Sequence, residues 1–308
     1  MRALTNLRSR LNKAVIKRLG LLNAFGARLT IIDQFGSPGD TLMTATVCRN
    51  IHERHPRIRI NCRTANPSLI EHDPAIETLN APLTRWHTSF QYIDLLVHRR
   101  GDENALAQTM AGLGMAHYEY KAKVHLTQPE LRWAAAQLRD LKRPIITVNT
   151  VSKERVKTWP QDYWAKLLEK LKGEGSVVQL GDSREPLFEG VHSFAGKLSL
   201  RESMAILSQA SLHIGPDSFL MHAANGVDVR SIIIFGGSRT PGNVGYAENI
   251  NLFVQMPCGP CYLHDSRGQL CPHDIACMSK ISVEEALRHA REALAGMRPA
   301  RPNHAPIA

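Results

Sequence analysis

Short apolar runs alternate with stretches of helical periodicity along most of this chain, which is the pattern of an α/β fold. Residues 29–34 (LTIIDQ), 57–62 and 92–97 read as strands of a first series, with a helix over 41–54. Another helix, over 126–141, begins after Thr127 and Pro129, a pair suited to the N-cap and first helical turn. A second series opens on the strand 144–148 (PIITV). It continues with helices over 164–171, 200–208 and 218–225 and strands over 176–180, 212–214 and 231–235. The last helix spans 283–295 and leads into a tail rich in Pro and Arg that is expected to fray. Two α/β units of similar size therefore meet near residue 142, with no internal repeat at a period of about 20–50 residues.

In open parallel sheets, ligands bind beyond the carboxyl ends of the strands, so the strand-exit loops are where chemistry is sought. The first is Phe35-Gly36-Ser37-Pro38-Gly39-Asp40. Gly39 permits close backbone approach, and Asp40 falls at the cap or first turn of the next helix; an ordinary Asp N-cap is the alternative. This is not a dinucleotide fingerprint, and no G-x-x-x-x-G-K-[ST] phosphate loop occurs anywhere. The second loop, 149–160, gathers hydroxyls and cations. Thr150 and Ser152 can donate to a diphosphate and Lys157 can serve as a point charge, while Trp159 is costly to expose and should tether the loop. The third loop holds Asp217 and Ser218, where the free N–H groups of a helix start can meet a phosphate. His222, four residues on, shares the helix face of Ser218 and reads equally as a ligand group or a structural histidine.

Cys258, Cys261, Cys271 and Cys277 form a C-x2-C-x9-C-x5-C array with Gly and Pro at the bends. Four thiols so close suit one tetrahedral structural metal, zinc or iron, with buried free thiols as the alternative. Cys48 and Cys62 fall in an expected helix and strand and read as core residues. Six cysteines in 308 residues are too few for a disulfide scaffold, which points to a reducing cytoplasm.

Length and a 43% hydrophobic content support two domains and exclude a mini-protein or a disordered chain. The formal charge of +10 has a particular placement. Residues 1–32 carry seven cations and no acid, and residues 286–308 carry four arginines against Glu292; the remainder is balanced at 27 basic and 27 acidic residues. A neutral body without clustered aromatics argues against nucleic acid as a partner. No run of about 18 apolar residues exists to span a bilayer. Residues 7–25 alternate apolar and basic positions and lack the long apolar stretch and cleavage site of a secretory signal. They read as a basic amphipathic helix, either lying on an anionic membrane face or packed against a domain.

Taken together, these residues resemble glycosyltransferase family 9, the ADP-heptose:lipopolysaccharide heptosyltransferases, over residues 29–293. The resemblance rests on Gly39-Asp40-Thr41-Leu42 with His55-Pro56, Lys157-Thr158-Trp159-Pro160, Gly181-Asp182, Asp217-Ser218 with Met221-His222-Ala223-Ala224, Phe235-Gly236 and the four-cysteine segment. It implies a GT-B architecture of two Rossmann-like domains facing across a cleft, with the last helix crossing back. The expected division is a basic N-terminal segment (1–28), an acceptor-side domain (29–142), a nucleotide-sugar domain carrying the four cysteines (143–282) and a C-terminal helix and tail (283–308). It further implies inverting transfer of heptose from an ADP-sugar donor to a lipopolysaccharide core or related glycolipid, at the inner face of the inner membrane, without a catalytic metal. Asp40 matches the family's proposed base, with Gly39 beside it on the acceptor side. Lys157 matches the lysine at the diphosphate, and Asp217, Ser218 and His222 match the donor-site loop. The four-cysteine array looks like the metal finger of the autotransporter heptosyltransferase branch, which makes a protein acceptor an alternative. A non-catalytic nucleotide-sugar-binding protein is another. Phe219 stands where the family usually has Gly, and Asn149-Thr150 where it has Pro-Gly.

Overall fold

The computed structural model describes residues 13–14, 16–91, 103–263 and 270–296 of the chain. Two parallel sheets organise it. The first comprises β1 (Arg28–Asp33), β2 (Arg59–Arg63), β3 (Thr78–Leu79) and β4 (Trp86–Phe90) in the order β3-β2-β1-β4. The second comprises β5 (Ile145–Val148), β6 (Ser176–Gln179), β7 (His192–Ser193), β8 (Leu212–Pro216), β9 (Ser231–Phe235) and β10 (Ile250–Phe253). Its order is β10-β9-β8-β5-β6-β7, and every pairing in both sheets is parallel. Central strands of such a sheet are covered on both faces, which is why β5, β8 and β9 are buried at every position. The strand expected at 92–97 lies outside the described residues.

Helix α1 (Leu19–Ala24) precedes β1, and α2 (Pro38–Arg54) links β1 to β2. Ser37 caps α2 by accepting from the Asp40 N–H at 3.3 Å, and Pro38 occupies the first turn, where no N–H is needed. Residues 39–51 of α2 are all buried because the helix is pressed between the first sheet and a helix of the second unit. Next come α3 (Ala107–Gly112), α4 (Gln128–Gln137), α5 (Gln161–Leu171), α6 (Leu200–Leu207), α7 (Phe219–Gly226), α8 (Pro241–Val244), α9 (Ala276–Ser279) and α10 (Val283–Ala295). Helix α4, on the first unit's side of the expected boundary, packs against α6 of the second.

One core runs from Leu29, Ile31, Val47 and Phe90 of the first unit into Met204, Leu220, Met221 and Tyr246 of the second, so the two units share apolar packing below their facing ends. A separate core fills the other face of the second sheet around Trp164, Leu168, Ile214 and Ile234. One expectation changes here, and one of two open readings fits. The last helix does not cross back: Val283, Ala286, Leu287, Ala290 and Ala293 of α10 form a helical stripe that is buried in this second core beside α5, and Arg291 Nε donates to Glu174 at 2.7 Å. An apolar stripe of that length finds its complement on Leu167, Leu168 and Leu171 rather than on the first unit. In the N-terminal segment, Ile16, Leu19 and Leu22 are buried in the first core, so residues 16–24 turn their apolar face to the body; residues 1–12 lie outside the described set.

Candidate active site

The second sheet reads β7-β6-β5-β8-β9-β10, so chain order reverses between β5 and β8 and leaves a crevice at their carboxyl ends. Lys157 and Asp217 meet there. Asp217 directly follows β8; Lys157 lies in a short 3-10 turn, Arg155–Lys157, in the loop leaving β5. The Lys157 Nζ donates to Asp217 Oδ2 at 2.6 Å, and both residues are buried. The loop is anchored as Trp159 foretold. That ring is buried, stands edge-on to Trp164 at 5.2 Å, and donates from Nε1 to the Ile281 carbonyl at 3.0 Å. At Gly236 a Cβ would come within 2.3 Å of the Val156 carbonyl, so the glycine lets the β9 exit pass directly under the lysine loop.

Charge in the crevice is balanced by close pairing. Burial pushes the Lys157 ammonium below its ordinary value, and the Asp217 carboxylate and the more distant Asp40 counteract that. Burial by itself would raise Asp217; the Lys157 and Arg239 cations overcome it and hold the carboxyl below its ordinary range. Arg239, in the loop leaving β9, acts on both partners. His222, one turn into α7, is lowered to about 4, first by burial and then by the same two cations, against an opposing pull from Asp217. It is therefore neutral at pH 7. Its Nδ1 lies 2.7 Å from the Tyr246 hydroxyl.

The start of α2 comes to this crevice from the other unit. A Cβ at Gly39 would stand 2.9 Å from His222 Cδ2 and 3.8 Å from the Phe219 Cα, so the missing side chain sets the approach of the two helix starts. Asp40, in the first turn, is buried and its Oδ2 accepts from Ser37 Oγ at 2.5 Å. Asp40, Lys157, and the Asp217 and His222 pair, drawn from three separate sequence segments, are thus brought together. Phe219 is half-buried against the shared core and opens α7 with its backbone close to Gly39.

Other expected donor-side residues are placed differently. Thr150 is committed elsewhere: its N–H and hydroxyl go to Glu185 Oε2 at 2.9 and 2.6 Å. Glu185, pushed up by burial and held against that by Thr150, Val151 and Gln179, draws the loop inward and takes the donor that the sequence offered to a diphosphate. Ser152 is buried in the same loop. Ser218 is the N-cap of α7 without a side-chain capping bond; its Oγ accepts from Asn149 Nδ2 at 3.4 Å, which ties the β5 and β8 exits together.

Two of the four cysteines meet at Gly237, where Cys277 Sγ accepts from the Gly237 N–H at 3.1 Å and the Cys261 N–H donates to the Gly237 carbonyl at 2.9 Å. Burial raises the Cys261 and Cys277 thiols, and Cys258 and Cys271 add to the rise in both. Among the described residues, no group of three or more His, Cys, Asp or Glu side chains is arranged to hold a metal. No helix among the described residues is long and apolar enough to cross a membrane.

The sequence model of glycosyltransferase family 9 (heptosyltransferase) matches residues 85–270, more than half of the chain. The chain belongs to glycosyltransferase family 9. Lipopolysaccharide heptosyltransferase 1 of Pseudomonas aeruginosa is 32% identical over 116 residues, a match covering 34% of this chain and 32% of that protein. The chain therefore matches about a third of that curated relative's length. Among solved structures, a family 9 glycosyltransferase of Veillonella parvula aligns with a TM-score of 0.68 at 14% identity, over 88% of this chain and 97% of that one. ADP-heptose lipopolysaccharide heptosyltransferase II of E. coli aligns at 0.61 and 14%, over 87% and 98%. The iron-containing dodecameric glycosyltransferase TibC of enterotoxigenic E. coli aligns at 0.69 and 19%, over 87% and 76%. These likenesses show the GT-B fold.

In this family 9 chain, sequence reasoning passed over Arg239, Glu185 and Tyr246. Arg239 was within reach, because Gly236-Gly237-Ser238-Arg239 leaves a strand that the apolar pattern identifies, and the strand-exit rule applies to it as to the other loops. Glu185 and Tyr246 carry no local mark: each acts through a partner far away in sequence.

Proposed function

We propose that this protein is an inverting glycosyltransferase that moves heptose from ADP-heptose to a lipopolysaccharide core or related glycan. The observation that carries this is the buried Lys157–Asp217 pair at the switch point of the second sheet, faced by Asp40 from the first unit. In this reading Asp40 accepts the proton of the acceptor hydroxyl as its oxygen bonds to the anomeric carbon. The bond from that carbon to the diphosphate breaks, and ADP leaves with the electron pair. Negative charge grows on the diphosphate where Lys157, Arg239 and the open N-terminus of α7 already stand, so stabilisation requires little rearrangement. Asp40 qualifies as the base through its position, since geometry precedes pKa for such a group.

Purified protein given ADP-heptose and a core acceptor should release ADP. Asp40→Ala should lower release by at least about a hundredfold while ADP-heptose still binds. Release that survives this substitution rejects the base, and no release by the unaltered protein rejects the reaction.

A polypeptide acceptor is a second reading, and it rests on the likeness of the four-cysteine segment to the metal finger of the autotransporter heptosyltransferase branch. The same incubation with a candidate adhesin, read by mass spectrometry for added heptose, separates the two acceptors. Cys258, Cys261, Cys271 and Cys277 suit zinc or iron by donor chemistry, and metal binding would deprotonate thiols that burial now holds protonated. Elemental analysis should find about one structural metal ion per chain. Cys261→Ser with Cys277→Ser should lose it, and metal content unchanged by that double substitution would remove the assignment.

A further inference from the structure

Tyr246, in the turn after α8, is buried and is used by none of the steps above. Its hydroxyl lies 2.7 Å from His222 Nδ1, and its ring stands edge-on to the imidazole at 5.6 Å and 86°. The Tyr246 ring also stacks on Tyr120 at 4.7 Å and 15°. Tyr120 belongs to the segment joining the two sheets, and its hydroxyl donates to the Val244 carbonyl at 2.8 Å. A carbonyl can only accept, so the single Tyr120 hydrogen is committed to Val244. Two acceptors then compete for the Tyr246 hydrogen, the Tyr120 hydroxyl oxygen and His222 Nδ1, and the 2.7 Å contact favours His222 Nδ1.

The other edge of the same imidazole, Cδ2 and Nε2, is turned toward the start of α2, at 2.9 and 3.4 Å from the Cβ position of Gly39. We propose that Tyr246 is a positioning residue: it donates to His222 Nδ1 and so holds the imidazole as the Nε2–H tautomer, with that N–H aimed between the starts of α2 and α7. There it donates to an anionic oxygen of the bound donor. The ring is neutral at pH 7, because burial, Lys157 and Arg239 outweigh the Asp217 carboxylate, so it carries one proton and the tautomer decides whether a donor or a lone pair faces that space. A lone pair there would face the anionic phosphate of an incoming donor. Tyr120 contributes as the platform that fixes the Tyr246 ring. The tautomer stands on the Tyr246–His222 geometry and the neutral ring; the identity of the oxygen it meets rests on the proposed transfer reaction.

The test is nitrogen-15 NMR of the histidine rings, with the His222 signals assigned from their loss in His222→Gln. The unaltered protein should show His222 protonated at Nε2, and Tyr246→Phe, which keeps the stacked ring, should shift His222 toward the Nδ1–H form. ADP release from ADP-heptose should fall about tenfold in kcat with KM changed by less than about twofold, as expected when a donor is misoriented. In a His222→Gln background, where an amide replaces the ring, Tyr246→Phe should have no further effect on kcat. An Nδ1–H ring in the unaltered protein overturns the proposal without any variant having to fold. A ring signal or kcat that ignores Tyr246→Phe overturns it too. Absence of ADP release by the unaltered protein strikes the transfer reaction and leaves the tautomer result standing on its own.

Discussion

At Gly39 the absence of one methyl group decides how closely two units approach. A Cβ there would meet the His222 ring at 2.9 Å, so Gly39→Ala must displace either the imidazole or the start of α2. Helix propensity by itself would favour the alanine by about 0.5–1 kcal/mol. The expected outcome is a protein that folds with nearly unchanged melting temperature and a kcat lowered on the order of ten- to a hundredfold, since misplacement of about 1 Å can cost that much. Steady-state kinetics beside a thermal melt checks it, and full activity in the alanine variant would show that the approach is not needed. Asp40, Lys157, Asp217 and His222 were legible in the sequence because each sits in or beside a loop that leaves an apolar strand, and the topology sends such loops to one end. Thr150 was legible as a donor but not as one already taken. Its acceptor, Glu185, lies in another loop and reaches it only through the paired ends of β5 and β6.

At the scale of elements, strands in the middle of a sheet showed themselves and strands at the edges did not. β1, β2, β5, β6, β8 and β9 were all expected within a few residues, because burial on two faces demands continuous apolar side chains. β3, β4, β7 and β10 are the four edges, and none was expected from the sequence. WHTSF of β4 and INLF of β10 need satisfy only one neighbour, so polar residues interrupt them. The start of α4 was readable, and its capping box does more than cap. Thr127 and Glu130 bond reciprocally, and Glu130 also receives the Arg201 guanidinium from α6. Arg201 holds the Glu130 carboxyl at about 2 against the opposing effect of burial, with Thr127 assisting, where its ordinary value is 4.5. A depressed carboxyl stabilises the fold above its unfolded value and ceases to do so as pH falls through its folded one. Stabilisation on the order of 1–2 kcal/mol, reduced by solvent screening at this partly exposed pair, should therefore fade between about pH 4.5 and pH 2. Glu130→Gln keeps the capping reach and removes the charge. Melts of the two proteins should differ clearly at pH 7 and converge by pH 2; a gap independent of pH would mean that the ion pair adds nothing.

The whole molecule divides its charge and its apolar surface differently from what the chain order suggests. The excess of cations sits at the termini, whereas the crevice holds two individually placed cations, Lys157 and Arg239, which in the proposed reaction meet the donor phosphates. Contact of residues 1–12 with an anionic membrane surface is a proposal that follows from Arg2, Arg8 and Arg10. Removing residues 1–12 should abolish partition onto anionic vesicles at low salt, and unchanged partition would dismiss the contact. Removing residues 1–24 should in addition destabilise the fold by about 5 kcal/mol, because Ile16, Leu19 and Leu22 belong to the core shared by both units. Sequence by itself determined the α/β class, the two series of strands and the strand-exit loops that carry Asp40, Lys157 and Asp217. Those features are written locally, in apolar periodicity, caps and turn residues. Tertiary structure alone decided that the two helix starts meet at Gly39, that Lys157 pairs with Asp217, that Thr150 is withdrawn and that Tyr246 sets His222. Each of these depends on side chains distant in sequence arriving within a few ångströms, and only the packing of one unit on the other brings them there.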